Sequence, residues 1–126
     1  MKAYIAGPMR GIPKFNFPLF YSVEEELMRH DDGKVHVTQV FNPARHDVQV
    51  YPDIFLWEGF EAGDIDLCPK FSFTQAIRWD LARVLEADFI VMLPEWEHSS
   101  GATLEYDVAV NCGLEVRVWG DVDALH

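Results

Sequence analysis

Two acidic side chains interrupt helical stretches whose other residues on the same side are apolar. On a helical wheel of the stretch 73–86, the apolar side chains span roughly 300° to 120°, and Asp80 falls among them at about 340°. In the stretch 99–112, Glu105 falls near 40°, within an arc of small apolar residues from roughly 340° to 100°. Since carboxylates are almost never buried without a partner, both acids require an explanation.

An inward-facing pair of carboxylates is the set of groups that cleavage of a glycosidic bond needs. One acts as nucleophile and the other as acid and then base, about 5–5.5 Å apart when the configuration is retained. The bond between a sugar and a nucleobase is chemically similar, because its cleavage passes through an oxocarbenium-like state. A single inward acid is explained equally well by a bond to a backbone amide or an arginine. Two of them, on helices that flank the predicted strand 88–93, favour a functional site.

Two segments offer donors for an anionic group. Gly7 begins the turn after the first predicted strand, and Arg10 adds a forked donor to this turn. Ser99, Ser100 and Gly101 stand at a helix N-terminus, where free amides and the helix dipole favour an anion. Neither segment matches a GxGxxG or Walker sequence, so dinucleotide and nucleoside triphosphate sites are unsupported. Taken alone, each segment is also explained as an ordinary turn or helix cap.

The order of predicted strands and helices along the chain indicates a single α/β domain over residues 1–126. Apolar runs predict strands at 2–6, 35–41, 88–93 and 115–119. Apolar periodicity predicts helices at 16–30, 73–86 and 99–112. This alternation favours an open parallel sheet of four to five strands flanked by helices, a flavodoxin- or Rossmann-like arrangement with ligands at the carboxyl ends of the strands.

Two regions carry more detailed expectations. Asn16 is predicted to cap the first helix, and Asp31, Asp32 and Gly33 to end it. The buried stripe of this helix is predicted to be Leu19, Phe20, Val23, Leu27 and Met28. Residues 44–72 form a long, aromatic-rich connection, which is either a lid or binding loop or a small satellite core.

Composition and charge limit the class of partner. The chain has 126 residues and a formal net charge of −11, so duplex nucleic acid and anionic membrane surfaces would be repelled at long range. No apolar run approaches the ~18 residues of a membrane span, and the N-terminus is unlike a signal peptide, so we expect a cytoplasmic protein. The two cysteines and five histidines show neither a disulfide framework nor metal-ligand spacing. We expect no metal and no cofactor.

Three blocks of the sequence resemble the nucleoside 2-deoxyribosyltransferase superfamily. They are YIAGPMRG at 4–11, WDLARVLEADFIVML at 79–93 and SSGATLEYDVAV at 99–110. The blocks cover most of the chain but leave 44–72 unmatched. They are most similar to the branch that hydrolyses 2′-deoxynucleoside 5′-monophosphates and to small phage-encoded relatives. The resemblance implies a flavodoxin-like sheet and a homodimer whose active site is completed by the neighbouring subunit.

The resemblance also implies roles for individual residues. By motif position, Glu105 is the nucleophile that attacks C1′ of the deoxyribose, and Asp80 is the acid that protonates the departing base. Tyr4 matches the tyrosine that orients the nucleophile. Gly7 and Arg10 match contacts to the sugar and the phosphate.

The residue six positions before the nucleophile distinguishes the branches of this superfamily. Transferases that use free nucleosides carry Asp there, whereas the monophosphate hydrolases carry Ser, as this chain does at Ser99. An Asp would repel a phosphate that Ser99 and a helix N-terminus would hold. We therefore expect hydrolysis of the N-glycosidic bond of a 2′-deoxynucleoside 5′-monophosphate. The alternatives are base exchange between nucleosides, a non-catalytic nucleotide-binding protein, and a structural role with both acids paired to basic side chains.

Overall fold

The computed structural model describes residues 1–30, 33 and 36–120. Within them, strands β1 to β4 are Lys2–Ala6, Gln39–Phe41, Phe89–Met92 and Glu115–Val118. The α-helices α1 to α4 are Phe17–Arg29, Pro43–Val50, Phe73–Glu86 and Ser100–Asn111. The strands pair in the order β2-β1-β3-β4 and every pair is parallel, which confirms the predicted α/β fold with an open parallel sheet.

The two central strands, β1 and β3, carry the core on both of their faces. Ala3 and Ile5 pack with the apolar side of α1, whereas Tyr4 and Ala6 pack with residues of α3 and α4. Burial on both faces is what the continuous apolar sequences of these strands predict. Since both strands end at the same edge of the sheet, the loops that follow them meet there. No helix in the described part of the chain is long and apolar enough to cross a membrane.

The helix predicted at 73–86 is confirmed at both ends, but details elsewhere need correction. Met28 is 49% exposed, because it lies at the edge of the α1 stripe and not within it. Asn16 does occupy the N-cap position, but its backbone is left-handed (φ 62°) and its side chain donates to the carbonyl oxygen of Pro8 at 3.1 Å instead of capping.

The ends of the predicted strands also differ from the structure. β2 is only Gln39–Phe41, because its register with β1 runs from Lys2 to Tyr4. The start predicted for it at residue 35 lies outside the described residues, as do Asp31 and Asp32 of the predicted helix stop. Gly33, the third residue of that stop, follows the end of α1 at Arg29. β3 and β4 are each shorter than predicted by one or two terminal residues.

The connection 44–72 contains regular structure and is tied to the loop after β1. It includes most of α2 and two short 3₁₀ turns. The amide of Gly11 donates to the carbonyl oxygen of Gly63 at 2.8 Å, and the amide of Lys14 donates to that of Glu61 at 3.0 Å. Gly63 has φ +69°, and a Cβ there would overlap the carbonyl oxygen of Ile12, so this crossing requires glycine.

Candidate active site

The loops after β1 and β3, together with α2, α3 and α4, enclose a cavity of about 210 Å³. Seven of the eight site residues predicted from the sequence line it: Gly7, Arg10, Asp80, Ser99, Ser100, Gly101 and Glu105. The eighth, Tyr4, is fully buried on β1 and lies close enough to Glu105 and Asp80 to interact with both electrostatically. The fold therefore brings all eight positions together, while their roles stay predictions.

Glu105 is the most buried acid of the cavity. It lies about one turn into α4 and is only 5% exposed, which agrees with its place on the helical wheel. Its Oε2 atom has no hydrogen-bond partner among the described residues. Burial, followed by the nearby charge of Asp80, raises the pKa of Glu105 well above its usual range.

Asp80 and Tyr4 complete a compact group of titratable side chains around Glu105. Burial raises the pKa of Asp80 to about 7. Burial and the two carboxylates raise the pKa of Tyr4, whose hydroxyl is buried and reaches ordinary hydrogen-bond geometry with no described residue. Proximity of this hydroxyl lowers the pKa of each carboxyl by a smaller amount. Because two negative charges in one cavity repel, ionisation of either carboxyl favours protonation of the other.

A third acid, Asp47 on α2, lies in the same cavity and was missed by the sequence analysis. It is only 6% exposed, and burial together with the charge of Asp80 raises its pKa to about 8. A signal was present, because Asp47 lies three residues after Ala44 and four before Tyr51, which is helical spacing. Two apolar neighbours do not define a helix face in a segment rich in Pro, Gly and aromatic residues.

The N-terminus of α4 presents unused donors to the cavity. The Oγ atom of Ser99 caps the helix by accepting from the amide of Ala102 at 3.2 Å, so the cap interpretation is confirmed. The amides of Ser100 and Gly101 donate to no residue in the described part of the chain. Such amides and the helix dipole favour an anion at this end of the cavity.

The only guanidinium that lines the cavity among the described residues belongs to Arg10. It is exposed and stacks over the ring of Phe73, 5.2 Å from the ring centroid. It pairs with no carboxylate of the described residues, which leaves its forked donors free for a ligand. Gly7 has a packing explanation, since a Cβ there would lie 2.7 Å from the Cβ of Leu93.

The connection 44–72 forms the apolar wall of the cavity. Its rings pack against one another, with Tyr51 at 5.2 Å from Trp57 and 5.6 Å from Phe71. Trp57 and Phe71 also line the cavity, so the satellite core predicted for this segment is confirmed and the same rings form part of the cavity wall. The binding role stays a prediction.

Neither catalytic candidate is neutralised by a basic side chain. Over residues 1–30, 33 and 36–120, no ion pair joins Asp80 or Glu105 to Lys, Arg or His. The condition set for a purely structural role is therefore not met. Nor do the described residues contain a group of three or more His, Cys, Asp or Glu side chains that could hold a metal ion.

Residues 1–118 match the model of a protein family, which is described as a domain of unknown function, DUF4406. No curated protein and no solved structure matches the chain. The family match spans every residue of the cavity but assigns no chemistry to any of them.

Proposed function

The chain belongs to the DUF4406 family, whose description names no activity. From the cavity itself, we propose that the protein hydrolyses the N-glycosidic bond of a 2′-deoxynucleoside 5′-monophosphate. The products are a free base and deoxyribose 5-phosphate. The observation that carries this proposal is that buried Glu105 and half-buried Asp80 line one cavity together with the N-terminus of α4.

The two carboxyl groups divide the reaction between them. Glu105 attacks C1′ as the C1′–N bond breaks, and protonated Asp80 gives its proton to the departing nitrogen base. Water then attacks C1′ of the glycosyl ester, loses a proton to Asp80 and releases Glu105 as a carboxylate. Each turnover consumes one water and returns both carboxyls to their starting protonation states.

The protonation of the free cavity suits this division of labour. Mutual repulsion and burial favour one shared proton on the pair, and the form with Glu105 ionised and Asp80 protonated holds both a nucleophile and an acid. In this mechanism the hydroxyl of Tyr4, which lies near both groups, moves into hydrogen-bond contact and donates to the ionised Glu105. Tyr4 thereby orients the attacking oxygen.

A 5′-phosphate is favoured over a free nucleoside by the donors around the cavity. Ser99, Ser100 and Gly101 present a hydroxyl and two amides, and Arg10 adds a guanidinium at the same cavity. These local donors oppose the long-range repulsion from a chain of net charge −11. The cavity of about 210 Å³ is below the usual range of about 300–1,000 Å³, so part of a bound nucleotide extends out of it.

We propose a cytoplasmic homodimer as the working form. This assembly is what the resemblance to the nucleoside 2-deoxyribosyltransferase superfamily implies. Light scattering on the purified chain checks this assembly, and a monomer at micromolar concentration contradicts it.

The activity is tested by incubating the protein with dAMP, dCMP, dGMP, dTMP and 5-substituted pyrimidine monophosphates, and by separating free base chromatographically. We expect base release, and a loss of at least about a thousandfold in Glu105→Gln with the fold retained. Asp107→Asn, which removes an exposed acid from the same helix, is the control and should keep full activity.

Three results contradict the proposal. Undiminished activity in Glu105→Gln removes the covalent mechanism. Capture of the deoxyribosyl group by added adenine in place of water identifies a transferase. Tight nucleotide binding with no base released over hours identifies a non-catalytic binding protein.

A further inference from the structure

The cavity holds a carboxyl group that the mechanism above does not use. Asp47 is 6% exposed and lines the cavity together with Asp80 and Glu105. Its carboxyl makes no hydrogen bond and no ion pair with any residue that the structure describes. Burying such a group without a partner is costly, so an unpartnered carboxyl at a cavity wall points to a ligand that completes it.

The basic residues next to Asp47 in the sequence are engaged elsewhere. Arg45 forms an ion pair with Glu24 of α1. The ring of His46 stacks on Trp79, with the ring centroids 3.9 Å apart. Neither side chain therefore pairs with the carboxyl group of Asp47, although both belong to the same short helix, α2.

The sheet order determines which part of the ligand Asp47 can reach. β1 lies between β2 and β3, α2 follows β2, and α4 follows β3. Asp47 and Glu105 consequently approach the cavity from opposite sides of β1. Asp80 belongs to α3, which packs against both α2 and α4, so it reaches the cavity between Asp47 and Glu105.

The direction of nucleophilic attack at C1′ indicates which part of the nucleotide lies against Asp47. A nucleophile attacks C1′ from the face opposite the departing base, so the base lies on the far side of C1′ from Glu105. The acid Asp80 stands beside the departing nitrogen. Asp47, beyond Asp80 and away from the donors of α4, faces the base itself.

We propose that Asp47 is the residue that reads the nucleobase, hydrogen-bonding to it as a neutral carboxylic acid. This inference rests on the proposed function and adds its specificity-determining residue. A neutral carboxyl offers one O–H donor and one carbonyl acceptor. It therefore pairs at two points with a base edge where an acceptor adjoins a donor, such as O4 and N3–H of thymine or N3 and N4–H of cytosine.

The surroundings of Asp47 keep it neutral at physiological pH. Burial and the nearby Asp80 raise its pKa to about 8. Tyr4 on β1 and Tyr21 on α1 also face it, and burial raises the pKa of both, so neither adds a charge. Burial lowers the pKa of His46, which is neutral as well. Above about pH 8 the carboxyl ionises, loses its donor and becomes acceptor-only.

Two substitutions, Asp47→Asn and Asp47→Ala, distinguish recognition of the base from a purely structural role of Asp47. Asn keeps one donor and one acceptor without titrating, whereas Ala removes both. We would measure kcat/KM and the calorimetric Kd for dAMP, dCMP, dGMP and dTMP in wild type, Asp47→Asn and Asp47→Ala. Inhibition by deoxyribose 5-phosphate, which has no base, is the internal control.

We expect Asp47→Asn to keep the order of preference among the four nucleotides and to retain it above pH 8, where wild type loses it. Asp47→Ala should lose about 10- to 100-fold on the preferred nucleotide, as for one or two hydrogen bonds, with unchanged inhibition by deoxyribose 5-phosphate. Equal losses on all four nucleotides and on deoxyribose 5-phosphate overturn the inference. If wild type cleaves none of the four, the proposed function fails, and the binding constants still decide the role of Asp47.

Discussion

Replacing Asp47 with Asn should change how the stability of the protein depends on pH, whether or not it is an enzyme. The pKa of Asp47 is raised from 3.8 to about 8 in the folded protein. Between these values the folded chain keeps a proton that the unfolded chain has lost, so stability falls as the pH rises. Each pH unit in this window removes about 1.4 kcal/mol, or about 3 kcal/mol between pH 5 and pH 7.

Asn cannot titrate, so the variant lacks this loss. We expect the free energy of unfolding of wild type, minus that of Asp47→Asn, to fall by about 3 kcal/mol from pH 5 to pH 7 and to level off above pH 8. Urea unfolding followed by the fluorescence of the four tryptophans measures it. The exposed Asp107→Asn substitution corrects for the lowered net charge and should change the difference by less than about 0.5 kcal/mol.

A change of less than 1 kcal/mol for Asp47→Asn over this range would refute the reasoning. It would mean that the carboxyl is already ionised in the folded protein. The neutral form required for reading the base would then be absent as well.

Three further predictions test the cavity and its walls. The kcat/KM for nucleotide hydrolysis should fall about tenfold per pH unit once the pH is high enough to remove the proton that the pair shares, because Asp80 must be protonated to act as an acid. Asp80→Asn should abolish this dependence together with most of the activity. In Gly101→Ala the new methyl group would lie 4.0 Å from the nearest side-chain oxygens, so the melting temperature should hold while KM rises about tenfold. Gly63→Ala should lower the free energy of unfolding by about 2 kcal/mol or more, because its Cβ overlaps Ile12. Gly11→Ala is the control: it is also at positive φ but has no atom within 4 Å, so it should lower the free energy of unfolding by about 1 kcal/mol. Urea unfolding measures both.

The long helices made much of the site readable from the sequence. In α3 and α4, which have 14 and 12 residues, several turns of apolar spacing define a face, and one acid on that face stands out. Asp80 and Glu105 were found in this way, and both line the cavity.

The same reasoning failed where an element was short. α2 has 8 residues and lies between segments rich in Pro, Gly and aromatic residues, so no face was defined and Asp47 was missed. β2 has only three residues, and its length is decided by pairing with β1, which is a tertiary property. Asn16 has the residue type of a cap, but the left-handed turn before α1 directs its side chain to Pro8.

The crossing of Gly63 over Ile12 joins two stretches of chain about fifty residues apart. The loop that carries Arg10 therefore acquires its shape only after the connection has been synthesised and packed, and such distant closure slows folding. It also couples the evolution of the two stretches. An insertion beside Gly63 would displace the guanidinium of Arg10, so residues that do not line the cavity can change which ligand it prefers.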